Sequence, residues 1–259
     1  MAQRFTTPVI KTKIRPPQRR VGILHRKRLI DYLHDNANRK LLLISASPGS
    51  GKTSLLIDFI QDTDLPTCWY ALDASDSDPR NFITYLIASI AETFPELEES
   101  PLGSLLDSPV QDQDVEILLQ SLVNAIQDLI QEYFVILIDD FQFASGDKMI
   151  LGLVNWFLDH QPDNCCIVLA SRVMPDLPYL RLTARQEIAG LGSEDLAFTP
   201  EEIQAYLSQN HNLQVPLEEA KQLAEDTEGW ITGILLGTHT LWDGLIRTIT
   251  EAKAKGQQV

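Results

Sequence analysis

The chain has 259 residues, 44% of them hydrophobic, which is enough for one large α/β domain or for one domain with a smaller one beside it. No apolar run reaches membrane-spanning length, and the N-terminus does not resemble a signal peptide. The three cysteines, Cys68, Cys165 and Cys166, lack metal-ligand spacing, so we interpret them as reduced, structural residues of a cytoplasmic protein without a membrane segment.

The net charge of −15 is distributed unevenly along the chain. Residues 1–40 hold eleven Lys/Arg against two Asp, whereas the remaining 219 residues hold ten Lys/Arg against 34 acids. An acidic body is a poor match for a phosphate backbone, so we expect this segment not to bind nucleic acid directly. The basic N-terminal stretch suits either a nucleic-acid arm or intramolecular cover of the acidic body, and we favour cover.

Strands and helices are predicted in alternation from residue 26 to residue 189. Before them, residues 1–22 are expected to be extended, because their three prolines oppose helix formation. Strands are predicted at 41–44, 67–72, 134–140, 165–170 and 187–189, and helices at about 26–36, 52–60, 78–94, 114–132 and 147–160. The stretch 95–113 is rich in Glu, Asp, Ser and Pro and predicts a flexible loop. The alternation predicts an α/β fold with a five-stranded parallel sheet between helices.

A glycine-rich loop joins the first predicted strand to the next helix. Residues 46–53 are A-S-P-G-S-G-K-T, the phosphate-loop pattern with Ala in place of the first Gly. The two glycines let backbone N–H groups point at a polyphosphate, and the helix N-terminus adds the positive end of its dipole. Lys52 places a charge on the outer phosphates, and the Thr53 hydroxyl is positioned to hold Mg²⁺. The loop predicts a nucleotide site, with these candidate cofactor-binding residues: Pro48, Gly49, Ser50, Gly51, Lys52, Thr53 and Ser54.

Three charged residues lie at or just after the carboxyl ends of predicted strands, at the edge where α/β sheets bind ligands. Asp139 ends a buried strand and is a candidate Mg²⁺ ligand opposite Thr53. Asp140 is a candidate catalytic residue that would orient or deprotonate an attacking water. Arg172 is a candidate to contact the γ-phosphate, although an ordinary salt bridge in an acidic protein explains it nearly as well.

Strands are no longer predicted after Gly192. Thr199, Pro200 and Glu202 combine an N-cap, Pro at the first helical position and the acid of a capping box. Helices are predicted at about 200–209, 216–227 and 230–250. The chain is therefore expected to contain a P-loop nucleotide-binding domain over 1–193, whose first 22 residues are extended, and a small helical domain over 194–259.

Several motifs in this order resemble the nucleotide-binding module of MalT-like STAND proteins (signal-transduction ATPases with numerous domains). They are T-K-I-R-P-P, H-R-K-R-L-I, the phosphate loop, W-Y-A-L-D-A-S-D-S-D-P, L-I-D-D, L-A-S-R and T-E-G-W, spanning about residues 12–236. The resemblance implies a P-loop NTPase that acts as an ATP/ADP switch, silent and monomeric with ADP and self-associating with ATP and inducer. It also implies sensor repeats and often a DNA-binding domain further along, so the sequence is expected to be an excised domain.

The resemblance also implies roles for individual residues. The phosphate, metal, water and γ-phosphate roles fall to Lys52, Thr53, Asp139, Asp140 and Arg172. Leu24, His25 and Arg26 fall where related modules have a Gly-Arg pair beside the adenine. Gly229 and Trp230 fall where many relatives have a Gly-x-Pro that packs on the nucleotide, with isoleucine in place of the Pro.

Three functions are compatible with these residues. The first is a regulatory switch that binds ATP with Mg²⁺ and hydrolyses it slowly, and the second is a module that holds ADP without turnover. The third, a small-molecule phosphotransferase, usually needs several arginines in a mobile lid, and residues 81–147 contain none. We favour the switch.

Overall fold

The computed structural model describes residues 8–106 and 115–235. It divides into two compact units: the described parts of residues 1–47 and 52–192 form the first, and those of 48–51 and 193–259 form the second. Among the described residues, no helix combines the length and the apolar character that a membrane span needs.

A parallel sheet of five strands forms the centre of the first unit. The strands are β1 (Leu41–Ser45), β2 (Thr67–Ala71), β3 (Phe134–Asp139), β4 (Cys165–Ser171) and β5 (Ile188–Leu191). Their spatial order is β2-β3-β4-β1-β5, so β1 pairs with β4 and β5 rather than with β2. The predicted fold, a five-stranded parallel sheet flanked by helices, is confirmed.

Burial differs between the inner strands and the outer ones. β3 and β4 are buried along their whole length, as expected for apolar strands covered on both faces. The side chain of Tyr32 binds the backbone of the outer strand β5. Its hydroxyl donates to the carbonyl of Gly190 (2.8 Å) and accepts from its N–H (3.1 Å). This side chain occupies backbone groups with which another strand would otherwise pair.

Helices cover the sheet in the first unit. They are α1 (Lys11–Ile14), α2 (Lys27–Asn36), α3 (Lys52–Asp62), α4 (Pro79–Thr93), α5 (Pro101–Leu106), α6 (Val115–Leu129), α7 (Lys148–His160) and α8 (Tyr179–Ala184). Short 3₁₀ turns lie at Ala74–Ser77, Pro95–Glu99 and Phe141–Phe143. The side chain of Asp78 caps α4 by accepting from the N–H of Asn81, as the Asp-Pro pair predicts.

Three helices are described in full in the second unit: α9 (Ser193–Leu196), α10 (Pro200–His211) and α11 (Leu217–Thr227). The capping box predicted for α10 is confirmed, because Thr199 accepts from the N–H of Glu202 and Glu202 accepts from the N–H of Thr199. The helix predicted at 230–250 is described only over 231–235, and the rest of it lies outside the described residues.

Two predictions of irregular chain are wrong in part. Lys11–Ile14 form one turn of helix, because Pro8 and Pro16 restrict only the residues next to them. The stretch predicted as a loop at 95–113 contains a 3₁₀ turn and α5, since Leu97, Leu102 and Leu106 are buried in the core. Local composition does not reveal this burial. Residues 107–114 of the predicted loop lie outside the described residues.

The basic N-terminal stretch makes ion pairs with the acidic body of the first unit. Lys11 and Arg15 both contact the carboxylate of Glu92 at 2.6 Å. The ammonium of Lys13 lies 2.5 Å from the carboxylate of Asp76, and both side chains are buried. These ion pairs are those expected of intramolecular cover. The pair of Lys13 with Asp76 also joins two of the motifs singled out in the sequence, T-K-I-R-P-P and W-Y-A-L-D-A-S-D-S-D-P.

Candidate nucleotide-binding site

The phosphate loop connects the end of β1 to the first residue of α3. Gly49 and Gly51 have φ angles of +75° and +89°, a backbone region that side chains with a Cβ rarely adopt. The tip of the loop, residues 48–51, belongs to the second unit. There the indole N–H of Trp230 donates to the carbonyl of Pro48 (3.1 Å), and the Thr232 hydroxyl donates to that of Gly49 (3.0 Å).

A second reason for glycine at position 49 follows from these contacts. A Cβ added to Gly49 would lie 2.4 Å from the Thr232 hydroxyl oxygen and 3.2 Å from the Trp230 indole nitrogen. Gly51 has no such neighbour within 4 Å, so only its φ angle requires glycine. The two glycines of the motif are therefore needed for partly different reasons.

Lys52 is held at the start of α3 by backbone carbonyl groups. Its ammonium donates to the carbonyl oxygens of Ala46 (2.7 Å) and Ser47 (2.9 Å) in the segment that leaves β1. Burial lowers the pKa of Lys52, and the nearby carboxylate of Asp139 opposes that shift. The side chain is thus a buried amine with oriented hydrogen bonds, as a phosphate ligand requires.

Thr53 and Asp139 are brought together by the sheet. The Thr53 hydroxyl donates to Oδ2 of Asp139 at 2.7 Å, although 86 residues separate them in the chain. Asp139 is only 2% exposed, and burial raises the pKa of its carboxyl while the Thr53 hydrogen bond lowers it. A buried carboxylate beside a hydroxyl supplies two of the hard oxygen ligands that Mg²⁺ prefers.

The Thr53 hydroxyl and the Asp139 carboxylate fit Mg²⁺ better than a metal ion whose ligands must all be protein side chains. Within residues 8–106 and 115–235, no group of three or more His, Cys, Asp or Glu is arranged to hold a metal ion. Mg²⁺ commonly takes one or two protein oxygens and completes its shell with water and substrate phosphates. Thr53 and Asp139 are the residues that would hold it here.

Asp140, Gln142 and Arg172 form a connected group beyond the ends of β3 and β4. Asp140 has a left-handed backbone (φ 55°, ψ 38°), so its side chain leaves the line of the strand. Its Oδ1 accepts a hydrogen bond from the side-chain amide of Gln142 at 2.7 Å and lies 3.4 Å from the guanidinium of Arg172. The salt bridge that the sequence analysis gave as an alternative for Arg172 is therefore present, and its partner is Asp140.

The residues predicted to flank the adenine lie in the turn before α2, in the first unit. Nδ1 of His25 lies 3.0 Å from Oδ2 of Asp58 on α3, the helix that begins at Lys52. Asp58 also receives hydrogen bonds from the guanidinium of Arg19. Arg26 is buried, Leu24 is half-buried, and His25 is exposed. An adenine contact by these three residues stays a prediction.

Gly229 has a conformational role within the second unit. It lies two residues after the end of α11 with φ +67°, its N–H donates to the carbonyl of Ala224, and its own carbonyl accepts from the N–H of Phe198 at 2.8 Å. A Cβ at this position would lie 2.7 Å from the Phe198 nitrogen and 2.8 Å from the Ala197 Cβ. These contacts explain the glycine without a nucleotide, and a nucleotide contact at Gly229 stays a prediction.

Replacing Gly229 with Ala is expected to destabilise the second unit by more than about 1 kcal/mol, because the φ angle and the backbone contact are both incompatible with a Cβ. Chemical denaturation measures the effect. The control is Gly152→Ala, in the middle of α7, where a Cβ meets nothing within 4 Å. The control is expected to gain up to about 1 kcal/mol. If both variants are equally stable, the conformational argument for Gly229 is wrong.

Sequence reasoning missed two side chains of this region, Asp58 and Gln142. Asp58 had a usable signal, because it is an acid within the apolar stretch L-L-I-D-F-I of α3 and is 4% exposed. A buried acid needs partners, and Arg19 and His25 provide them. Gln142 had no such signal, since a glutamine after a strand is common.

The sequence of this chain is similar to a protein family and to known transcriptional regulators. The family model described as "Nephrocystin 3, N-terminal" matches residues 21–172. The HTH-type transcriptional regulator MalT of Yersinia enterocolitica is 32% identical over 232 residues, which cover 88% of this chain and 25% of that protein. MalT of Serratia proteamaculans is 30% identical over 234 residues, with the same coverage. The chain spans about a quarter of the length of the curated relatives it matches.

Solved structures show the same fold at lower identity. A Walker-type ATPase of Pyrococcus abyssi has a TM-score of 0.53 and 18% identity, with 94% of this chain and 79% of that one covered. A STAND protein with a tetratricopeptide repeat sensor from Pyrococcus horikoshii has a TM-score of 0.53 and 17% identity, with 83% and 29% covered.

The sheet, the phosphate loop and these structural neighbours define a P-loop ATPase fold. Within that class, the chain belongs to the family described as "Nephrocystin 3, N-terminal", and it resembles the MalT regulators over 88% of its length.

Proposed function

We propose that the module binds ATP and ADP with Mg²⁺, hydrolyses ATP slowly, and thereby controls self-association of a larger regulatory protein. The observation that carries the proposal is the contact between Thr53 and Asp139, because a hydroxyl and a carboxylate of the kind that Mg²⁺ prefers lie together next to the lysine of a phosphate loop. The ends of β3 and β4 add a carboxylate and a guanidinium in the same unit.

Binding is assigned to the loop. Backbone N–H groups and the N-terminus of α3 face the phosphates, and Lys52 neutralises charge on their outer oxygens. Thr53 and Asp139 would hold Mg²⁺, which would supply further positive charge to neutralise the phosphates. A nucleotide with its phosphates in this loop is the ligand that this chemistry selects.

Hydrolysis is assigned to Asp140 and Arg172. The oxygen of a water molecule bonds to the γ-phosphorus, and the bond from that phosphorus to the bridging oxygen breaks. ADP leaves with the bridging oxygen, and one proton of the water passes to the phosphate product or to solvent. Asp140 accepts a hydrogen bond from the water and thereby orients the water for attack. The guanidinium of Arg172 turns from Asp140 to the γ-phosphate and stabilises the negative charge of that phosphate.

Regulation is proposed on the basis of the relatives. The curated relatives are transcriptional regulators about four times as long as the matched region, and one structural neighbour carries a repeat sensor. In such a protein the module would change its self-association with the state of its nucleotide, and sensor and effector domains would supply the input and the output.

Steady-state phosphate release from Mg²⁺-ATP tests the hydrolytic part of the proposal. Asp140→Ala is expected to lower the rate by about a hundredfold or more, because the water loses its orienting group. Asp163→Ala, which removes an exposed carboxylate just before β4, is the matched control and is expected to hydrolyse ATP like the wild type. If Asp140→Ala is as fast as the wild type, this site does not hydrolyse ATP. A module that still binds ADP would then be a non-hydrolysing one.

A further inference from the structure

Gln142 lies in a rigid turn directly after β3. It is the middle residue of the 3₁₀ turn Phe141–Phe143, and the Phe141 side chain before it is fully buried against Phe82. The N–H of Phe143 donates to the carbonyl of Asp140 at 3.1 Å, and the Ser145 hydroxyl donates to the carbonyl of Gln142 at 3.2 Å. The backbone of Gln142 is therefore anchored on both sides.

The side-chain amide of Gln142 uses both of its ends. Its Nε2 donates to Oδ1 of Asp140 at 2.7 Å, and its Oε1 accepts from the backbone N–H of Arg172 at 3.1 Å. The chemistry of the partners determines this orientation, because an ionised carboxylate only accepts and a backbone N–H only donates. One amide thus joins the residue after β3 to the residue after β4.

Within residues 8–106 and 115–235, hydrogen-bond donors reach one oxygen of the Asp140 carboxylate. Oδ1 accepts from Gln142 and lies 3.4 Å from Nη2 of Arg172, whereas no described residue donates to Oδ2. The side chain is one-third exposed, at 33%. Asp140 also holds a left-handed backbone, a conformation that costs free energy and occurs often at functional sites.

We propose that Gln142 is a positioning residue for the hydrolysis proposed above, on which this inference rests. It holds Oδ1 of Asp140 and thereby leaves Oδ2 to accept from the attacking water. Its Oε1 accepts from the backbone N–H of Arg172, and this second hydrogen bond fixes the amide in the orientation that holds Asp140, so the carboxylate keeps its orientation when the guanidinium turns from Asp140 to the phosphate. Gln142 itself contacts neither the nucleotide nor the water.

Gln142→Met tests the proposal, because methionine keeps the length of the side chain and removes both hydrogen bonds. The rate at saturating ATP is expected to fall about ten- to a hundredfold, up to the loss caused by Asp140→Ala. The KM for ATP and the Kd for ADP are expected to stay within about twofold, since no binding contact is removed. A residue that only supported the fold would weaken ADP binding as well as slow turnover, so the comparison of Kd with rate separates the two roles.

Two further variants isolate the contact with Asp140. Gln142→Glu keeps an acceptor for the N–H of Arg172 and loses the donor to Asp140, so it is expected to be as slow as Gln142→Met. The double variant Asp140→Ala/Gln142→Met is expected to be no slower than Asp140→Ala alone, because Gln142 acts through Asp140. Gln127→Met, which makes the same substitution at an exposed glutamine of α6, is the control with an unchanged rate.

The outcomes separate this inference from the proposed function. If the wild type releases phosphate no faster than Asp140→Ala, the hydrolytic proposal fails and the role of Gln142 fails with it. If Asp140→Ala is slow but Gln142→Met matches the wild type, only the inference about Gln142 is overturned. It is also overturned if Gln142→Met weakens ADP binding as strongly as it slows turnover, or if the double variant is much slower than Asp140→Ala.

Discussion

Replacing Lys13 with Met is expected to lower the free energy of unfolding by about 3–5 kcal/mol, because it leaves a buried carboxylate without its counter-charge. Asp76 is fully buried and accepts from Lys13 at 2.5 Å, from the N–H of Asp73 at 2.7 Å and from the amide of Asn81 at 3.0 Å. The ammonium of Lys13 also lies 4.3 Å from the centre of the Tyr85 ring.

The matched control is Lys11→Met, two residues earlier in the same helix. The Lys11 side chain is 54% exposed, and its pair with Glu92 is expected to contribute at most about 1 kcal/mol. Chemical denaturation of both variants measures the difference. The double variant Lys13→Met/Asp76→Asn is expected to recover part of the loss, because it removes both charges of the buried pair. Equal, small effects for Lys13 and Lys11 would show that the buried pair does not hold the N-terminal stretch in place.

Replacing Lys52 with Ala is expected to abolish the stabilisation of the module by ADP or ATP. For the wild type, nucleotide at a hundred times its Kd adds about 2.7 kcal/mol to the free energy of unfolding. Lys52 is the buried amine of the phosphate loop, and its loss removes the charge that we propose to face the outer phosphates. The measurement is the change in Tm between nucleotide-free and nucleotide-saturated protein.

Comparing each variant with and without nucleotide is necessary, because Lys52 also donates to the carbonyls of Ala46 and Ser47 and its removal alters the ligand-free Tm. Lys148→Ala, which removes an exposed lysine at the first residue of α7, is the control and is expected to keep the full shift. If nucleotide raises the Tm of Lys52→Ala as much as that of the wild type, the phosphate loop is not the binding site.

The five strands and most helices were predictable because each carries its own local signal. β3 and β4 are continuous apolar runs, and such runs at strand length belong in a sheet covered on both faces. Asp78-Pro79 and Thr199-Pro200 mark the starts of α4 and α10 by capping chemistry within four residues. Helix α5 was missed because its proline and polar neighbours resemble a loop, and only its buried leucines show otherwise.

By itself the sequence determined the fold class, the family and the phosphate loop, since these depend on periodicity and on short motifs. Only the tertiary structure decided which distant residues meet: Lys13 with Asp76, Thr53 with Asp139, and Gln142 with both Asp140 and Arg172. The strand order that places β4 between β1 and β3 creates the last of these groups, because it brings the ends of β3 and β4 side by side. Strand order depends on how whole layers pack, and no local pattern encodes it.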